Sequence, residues 1–215
     1  MSKVFVIGAH GKVALLAMPL LVEAGHEVTG AIRNPAHADD VAQTGATPVV
    51  ADMEELTIEQ IAEQLEDQDV VVWSAGAGGG NPERTYAVDR DAAIRSMDAA
   101  RVAGVAQYVM VSYFGAGSDH GVSPDNPFHA YAEAKAAADE HLRATDLSWT
   151  ILKPSSLTLD EPTGQVDVNA SQAGQVSRGN VARVIAAVVD HPETTGRAEI
   201  SFNDGTTPVE RVVAG

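Results

Sequence analysis

Tyr131 and Lys135 stand four residues apart in the run Tyr-Ala-Glu-Ala-Lys, a spacing that sets a phenol and an ammonium on one face of a helix. A lysine so placed can lower the phenol pKa and prepare a proton donor. Ser112 closes the apolar run Tyr108 to Val111 and offers a hydroxyl that polarises a carbonyl oxygen alongside Tyr131. Proton donation is one half of a carbonyl reduction. The other half is hydride, and in a chain without cysteine redox chemistry calls for a bound cofactor.

The N-terminus has the pattern such a cofactor needs. Val4 to Ile7 read as a buried strand and lead into Gly8, Ala9, His10, Gly11, Lys12, Val13 and Ala14, after which an amphipathic helix begins. Glycine at position 8 permits a sharp turn, glycine at position 11 permits backbone N–H groups to approach a pyrophosphate, and the small Ala14 permits close packing of helix on strand. The helix N-terminus then faces the phosphates.

The end of the second strand selects between cofactors, because an acid there bonds the ribose 2′-hydroxyl of NAD and an arginine accommodates the 2′-phosphate of NADP. This strand ends Ala31, Ile32, Arg33, and no acid occurs between Glu27 and Asp39. Arg33, with Lys12 in the loop, therefore favours NADP(H) over NAD. The third strand ends Ala51, Asp52, Met53, where Asp52 is placed to accept from the adenine amino group. The fourth ends Ser74, Ala75, Gly76, small residues against which ribose and pyrophosphate can lie.

These positions demand a particular scaffold. Short apolar runs recur at Val4–Ile7, Val28–Ile32, Pro48–Val50, Val70–Trp73, Tyr108–Val111, Trp149–Leu152 and Glu199–Phe202, with helical periodicity between them. Continuous runs suit strands buried on both faces of a parallel sheet. Strand alternating with helix predicts a doubly wound α/β Rossmann fold, one domain over residues 1–215 with a small C-terminal portion on the substrate side. The least regular stretches, Gly115–Phe128 and Leu157–Gln175, follow strands, where such folds place ligands.

Composition removes several function classes. A net charge of −16, from 14 basic and 30 acidic residues, repels nucleic acids and anionic membranes. No apolar stretch approaches the roughly 20 residues that span a bilayer, and the chain enters its first strand without a leader, so a cytoplasmic protein is expected. The seven histidines form no helical pair with carboxylates at metal-ligand spacing, so no metal centre is expected. The glycine loop lacks the Gly-Lys-Ser/Thr ending of a phosphate-hydrolysing loop.

Taken together, Gly8–Ala14, Val88–Asp89 with the helix to Val105, Tyr108–Ser112, Tyr131–Lys135, Trp149–Leu157 and Ser177–Val189 resemble the short-chain dehydrogenase/reductase superfamily. The resemblance is to its atypical NAD(P)-binding branch of NmrA-like, flavin-reductase-like and epimerase-like proteins, and it runs essentially the whole chain. It implies that Tyr131 is the proton donor, that Lys135 binds the nicotinamide ribose and tunes Tyr131, and that Lys153, Pro154, Ser155 and Ser156 lie beside the nicotinamide. One departure is Tyr113, which stands where relatives carry a second serine after Ser112.

The expected function is an NADP(H)-dependent oxidoreductase passing hydride to a small carbonyl, quinone or flavin, working as a monomer or small homo-oligomer. Two alternatives remain: a non-catalytic redox sensor, and a sugar-nucleotide epimerase or dehydratase. The last is disfavoured because little chain follows Pro154 to build a substrate domain.

Overall fold

The computed structural model describes residues 1–214, so Gly215, the final residue of the expected domain, lies outside the described residues. All seven expected strands form, as β1 (Lys3–Ile7), β2 (Glu27–Ile32), β3 (Thr47–Val50), β4 (Val70–Trp73), β5 (Gln107–Val111) and β6 (Ser148–Pro154), followed after three short strands by β10 (Ala198–Asp204). Those short strands are β7 (Ser156–Thr158), β8 (Gln165–Asp167) and β9 (Gln175–Ser177), and β11 (Thr207–Pro208) closes the series.

The seven long strands are mutually parallel in the order β10-β6-β5-β4-β1-β2-β3. Antiparallel β8 and β11 extend the β10 edge, and β7 pairs β9 separately. The stretch Leu157–Gln175, expected to be irregular, thus holds most of β7, all of β8 and the start of β9. Three-residue strands are too short for period-two alternation to register in a sequence.

The helices are α1 (Ala14–Glu23), α2 (Ala38–Ala42), α3 (Ile58–Gln64), α4 (Pro82–Thr85), α5 (Ala93–Ala103), α6 (His129–Ala144), α7 (Arg178–Asp190), α8 (Pro192–Thr195) and α9 (Val209–Val213). A π-helical turn, Tyr86–Ala92, joins α4 to α5.

Successive residues of β1 join opposite cores, as a sheet buried on both faces requires. Val4 and Val6 join the core under α1 and α7, while Phe5 and Ile7 join the core under α3, α5 and α6. Chain order reverses beside β1, which has β2 on one side and β4 on the other. A crevice opens at the carboxyl ends of these strands, the place where doubly wound sheets bind ligands.

Candidate nucleotide and acceptor site

The crevice begins at the glycine turn. Gly8 has φ +82°, and a methyl group there would lie 2.5 Å from Ala75 Cα at the end of β4. Glycine is therefore required twice, by conformation and by close approach. The Gly11 N–H closes the turn on the Gly8 carbonyl at 2.8 Å, so that particular N–H is already committed. The N–H groups of Lys12 and Val13 find no backbone acceptor among the described residues, and no side chain caps α1. The unsatisfied donors of an uncapped helix start are what binds a pyrophosphate.

Toward β2 and β3 lies a cavity of about 340 Å³ whose wall includes Gly8, His10, Gly11, Arg33, Asp52 and Met53. Ser74, Ala75 and Gly76 complete it from β4. His10 stacks on His37, ring centroids 3.6 Å apart, and its Nε2 pairs with Asp40 at 2.9 Å. Asp52 accepts the Glu54 N–H at 3.0 Å, so one of its oxygens caps the turn after β3 instead of waiting for a ligand.

Arg33 does not stand alone, as the absence of nearby acids in the sequence suggests. Its Nη1 donates to Glu54 at 2.8 Å, and Arg84 Nη2 donates to the same oxygen at 3.2 Å. Arg84 also donates to the Ala77 carbonyl at 2.6 Å, and Arg95 donates to the Met53 and Glu54 carbonyls. One carboxylate thus sits between two guanidiniums at the cavity rim. Glu54 and Arg84 were not found from the sequence, because they lie 21 and 51 positions beyond Arg33 and only the fold joins them.

On the other side of the same wall is a larger cavity of about 700 Å³. Gly11, Ser74, Ala75 and Gly76 line both cavities, so the two adjoin along this edge and together make a trough. Lys12, Val13, Ser112, Tyr131, Pro154 and Ser155 face the larger one. Tyr113, Phe128 and Tyr131 form a triangle of rings with centroids 5.2 to 5.5 Å apart. Ser155 bonds Asn203 on β10 and accepts the Gly174 N–H at 3.1 Å.

Three ionisable residues are buried here, each 1% exposed or less: Asp89, which is part of the cavity lining, and Lys135 and Asp139 behind it. The π-helical turn carries Asp89 against the β4 loop, where it accepts the Ala77 N–H at 3.0 Å. Ser112 Oγ bonds Asp139 Oδ2 at 2.7 Å, one helical turn beyond Lys135. The Lys135 ammonium donates to the Val111 carbonyl at 2.7 Å and lies behind the lining of both cavities.

This corrects the expected tuning of Tyr131. Burial pushes the phenol pKa up, and the Asp89 and Asp139 carboxylates push it the same way. Burial in turn lowers the Lys135 pKa against the pull of those two carboxylates. Lys135 therefore offsets buried negative charge and does not acidify the phenol.

Lys153 is a second correction. Alternation along β6 turns it away from Pro154 and the cavity. Its Nζ instead donates to the Ala116 carbonyl at 2.9 Å and pairs with Glu199, which Arg143 also holds.

Two histidines gather with a carboxylate beside the Gly115–Phe128 loop. His120, His129 and Glu133 each bring a ligand atom within 4.8 Å of the others, an arrangement invisible to helical spacing alone because a loop contributes His120. Val122 N–H donates to His120 Nδ1 at 3.0 Å, so the neutral ring carries its proton on Nε2, aimed at Glu133 at 2.7 Å. His129 Nδ1 bonds the Val122 carbonyl at 2.9 Å. The group acts as a clasp holding the Gly115–Phe128 loop on α6.

A protein family described as NAD(P)H-binding matches residues 8–192. A UPF0659 protein of Schizosaccharomyces pombe is 34% identical over all of this chain and 95% of its own length. An uncharacterised sugar epimerase of Bacillus subtilis is 30% identical, with 96% of each chain covered. Among solved structures, a Bacillus halodurans protein assigned to the NAD-dependent epimerase/dehydratase class superposes with TM-score 0.90 at 32% identity, covering 99% of each chain. An oxidoreductase of Lactococcus lactis superposes with TM-score 0.88 at 26% identity, covering 98% of this chain and 94% of its own.

Proposed function

The chain belongs to the NAD(P)H-binding family, and on that premise we propose that it is an NADP(H)-dependent oxidoreductase delivering hydride to a small carbonyl, quinone or flavin. The observation that carries this reading is the single trough. The Gly8–Gly11 turn and the Ser74–Gly76 edge run from the Arg33 end of one cavity to Tyr131 and Ser112 in the other. A dinucleotide laid along it has its adenosine 2′-phosphate near Arg33 and Arg84 and its nicotinamide near Tyr131.

In this reading the bound nicotinamide supplies hydride and the chain supplies the rest. Lys12 and Val13 N–H groups bind the pyrophosphate. The Tyr113, Phe114 and Phe128 rings keep water from the acceptor. The Tyr131 hydroxyl gives the proton that the reduced oxygen takes up. A phenol pKa held up by burial keeps that proton in place until it is needed.

The test begins with titration of the protein with NADPH and NADH, followed by a panel of quinones, flavins and aldehydes for wild type and Tyr131→Phe. NADPH binds more tightly than NADH, and Tyr131→Phe binds NADPH normally while turnover falls by a factor on the order of 10²–10⁴. Equal rates in the two proteins sink Tyr131 as the acid. A UDP-sugar in the same panel decides the epimerase alternative.

A second reading, an NADP(H) sensor that binds cofactor without turnover, is favoured by one observation: Lys135 is spent on the Val111 carbonyl and not on the phenol. NADPH binding with no acceptor reduced across the panel selects it.

A further inference from the structure

Ser112 has one hydroxyl hydrogen and two claims on it. It lines the larger cavity beside Tyr131, where a reacting carbonyl oxygen needs donors, and it lies 2.7 Å from Asp139 Oδ2. An ionised Asp139 only accepts, so it draws the hydrogen inward and leaves serine lone pairs facing the cavity. A protonated Asp139 donates to Ser112 Oγ, and the serine hydrogen then turns outward.

Two observations place a proton on Asp139. The first is the burial of two acids, Asp89 and Asp139, beside one fully buried ammonium, Lys135: the Lys153 and Arg143 cations that also face Asp139 are held by Glu199, so the two acids share one close buried counter-ion. Asp89 accepts a backbone N–H, a donor that cannot reverse and that stabilises carboxylate, whereas the partner of Asp139 is a hydroxyl, which can act either way. The second is that Asp139 Oδ1 is buried and without any partner, an arrangement far more costly for a carboxylate than for a neutral acid.

We propose that Asp139 is a positioning residue that sets the direction of the Ser112 hydroxyl: protonated, it turns the serine hydrogen toward the bound acceptor's oxygen, and ionised, it withdraws it. The donor role rests on the oxidoreductase reading above. The groups facing Asp139 are Lys135 and Arg143 on α6, Lys153 on β6, Ser112 and Tyr113 after β5, and Tyr131. Burial pushes the Asp139 pKa up, against Lys135, the Ser112 hydrogen bond, Lys153 and Arg143. Its proton is therefore held at low pH and lost as pH rises through the raised value, so kcat/KM falls on the alkaline side.

The test pairs kinetics with infrared spectroscopy on protein carrying ¹³C-carboxyl aspartate. Asp139→Asn presents an amide N–H to Ser112 and its oxygen to the surrounding cations, fixing the serine hydrogen outward. The expected result is an Asp139→Asn variant that retains neutral-pH kcat/KM and loses the alkaline limb, while Ser112→Ala falls by a factor on the order of a hundred. An alkaline limb that survives Asp139→Asn overturns the proposal, as does equal loss at every pH.

The infrared readout needs no turnover. Wild type at neutral pH shows a protonated-carboxyl C=O band that Asp139→Asn removes, Ser112→Ala shifts and Asp89→Asn keeps. No such band, or a band removed by Asp89→Asn instead, overturns the proposal. Absence of turnover with the band present overturns the oxidoreductase reading instead and leaves the Asp139 proton standing.

Discussion

At the scale of single residues, the trough is governed by which group holds which charge. Glu54 occupies the space between Arg33 and Arg84 that a 2′-phosphate would take, so both guanidiniums are available to phosphate only as the carboxylate withdraws. Glu54→Gln removes a like charge from that site, and NADPH is expected to bind severalfold more tightly with NADH little changed, as read by cofactor fluorescence titration. Arg33→Ala moves NADPH the other way by about 1.5–3 kcal/mol, the usual worth of a hydrogen bond to a charged group. At the other end, burial holds the Tyr131 proton past the ordinary phenol value of about 10. A rate lost below that pH therefore does not report the phenol.

At the scale of elements, the turn between β1 and α1 is the part that tolerates least. A side chain at Gly8 meets both a left-handed backbone, worth about 1–2 kcal/mol, and the Ala75 main chain 2.5 Å away. Adding about 1–3 kcal/mol for overpacking, Gly8→Ala is expected to lower the urea midpoint substantially and to abolish NADPH binding. Helix α3 provides the contrast. Thr57 accepts the Gln60 N–H at its start and the Gln60 side chain accepts the Thr57 N–H, a closed capping box whose two residues line neither cavity. Thr57→Ala costs about 1 kcal/mol of stability and leaves NADPH affinity unchanged.

At the scale of the whole molecule, the sum of charge dominates. A net charge of −16 makes the compact state self-repelling, and the surface ion pairs that oppose it are each worth only about 0–1 kcal/mol. The melting temperature is expected to rise as NaCl shortens the screening length from about 30 Å at 0.01 M to about 10 Å at 0.1 M. A melting temperature that falls over that range, followed by calorimetry, counts against this. Among the described residues no helix is long and apolar enough to cross a membrane.

The sequence by itself determined the sheet and the turn. Seven runs of apolar residues can only be buried on both faces, and Gly8 with Gly11 after the first of them marks where the chain must reverse against a neighbour. Both signals are local, spelled out within a few positions of one another. What the tertiary structure decided is the direction of every buried charge. Lys135 and Lys153 read as cavity residues from their positions, yet one reaches the Val111 carbonyl and the other Glu199, because backbone alternation and burial fix where an ammonium finds a partner. Glu54 comes to Arg33, His120 to Glu133 and Asp139 to Ser112 from other elements. Such pairings arise from packing in three dimensions, and no spacing along the chain encodes them.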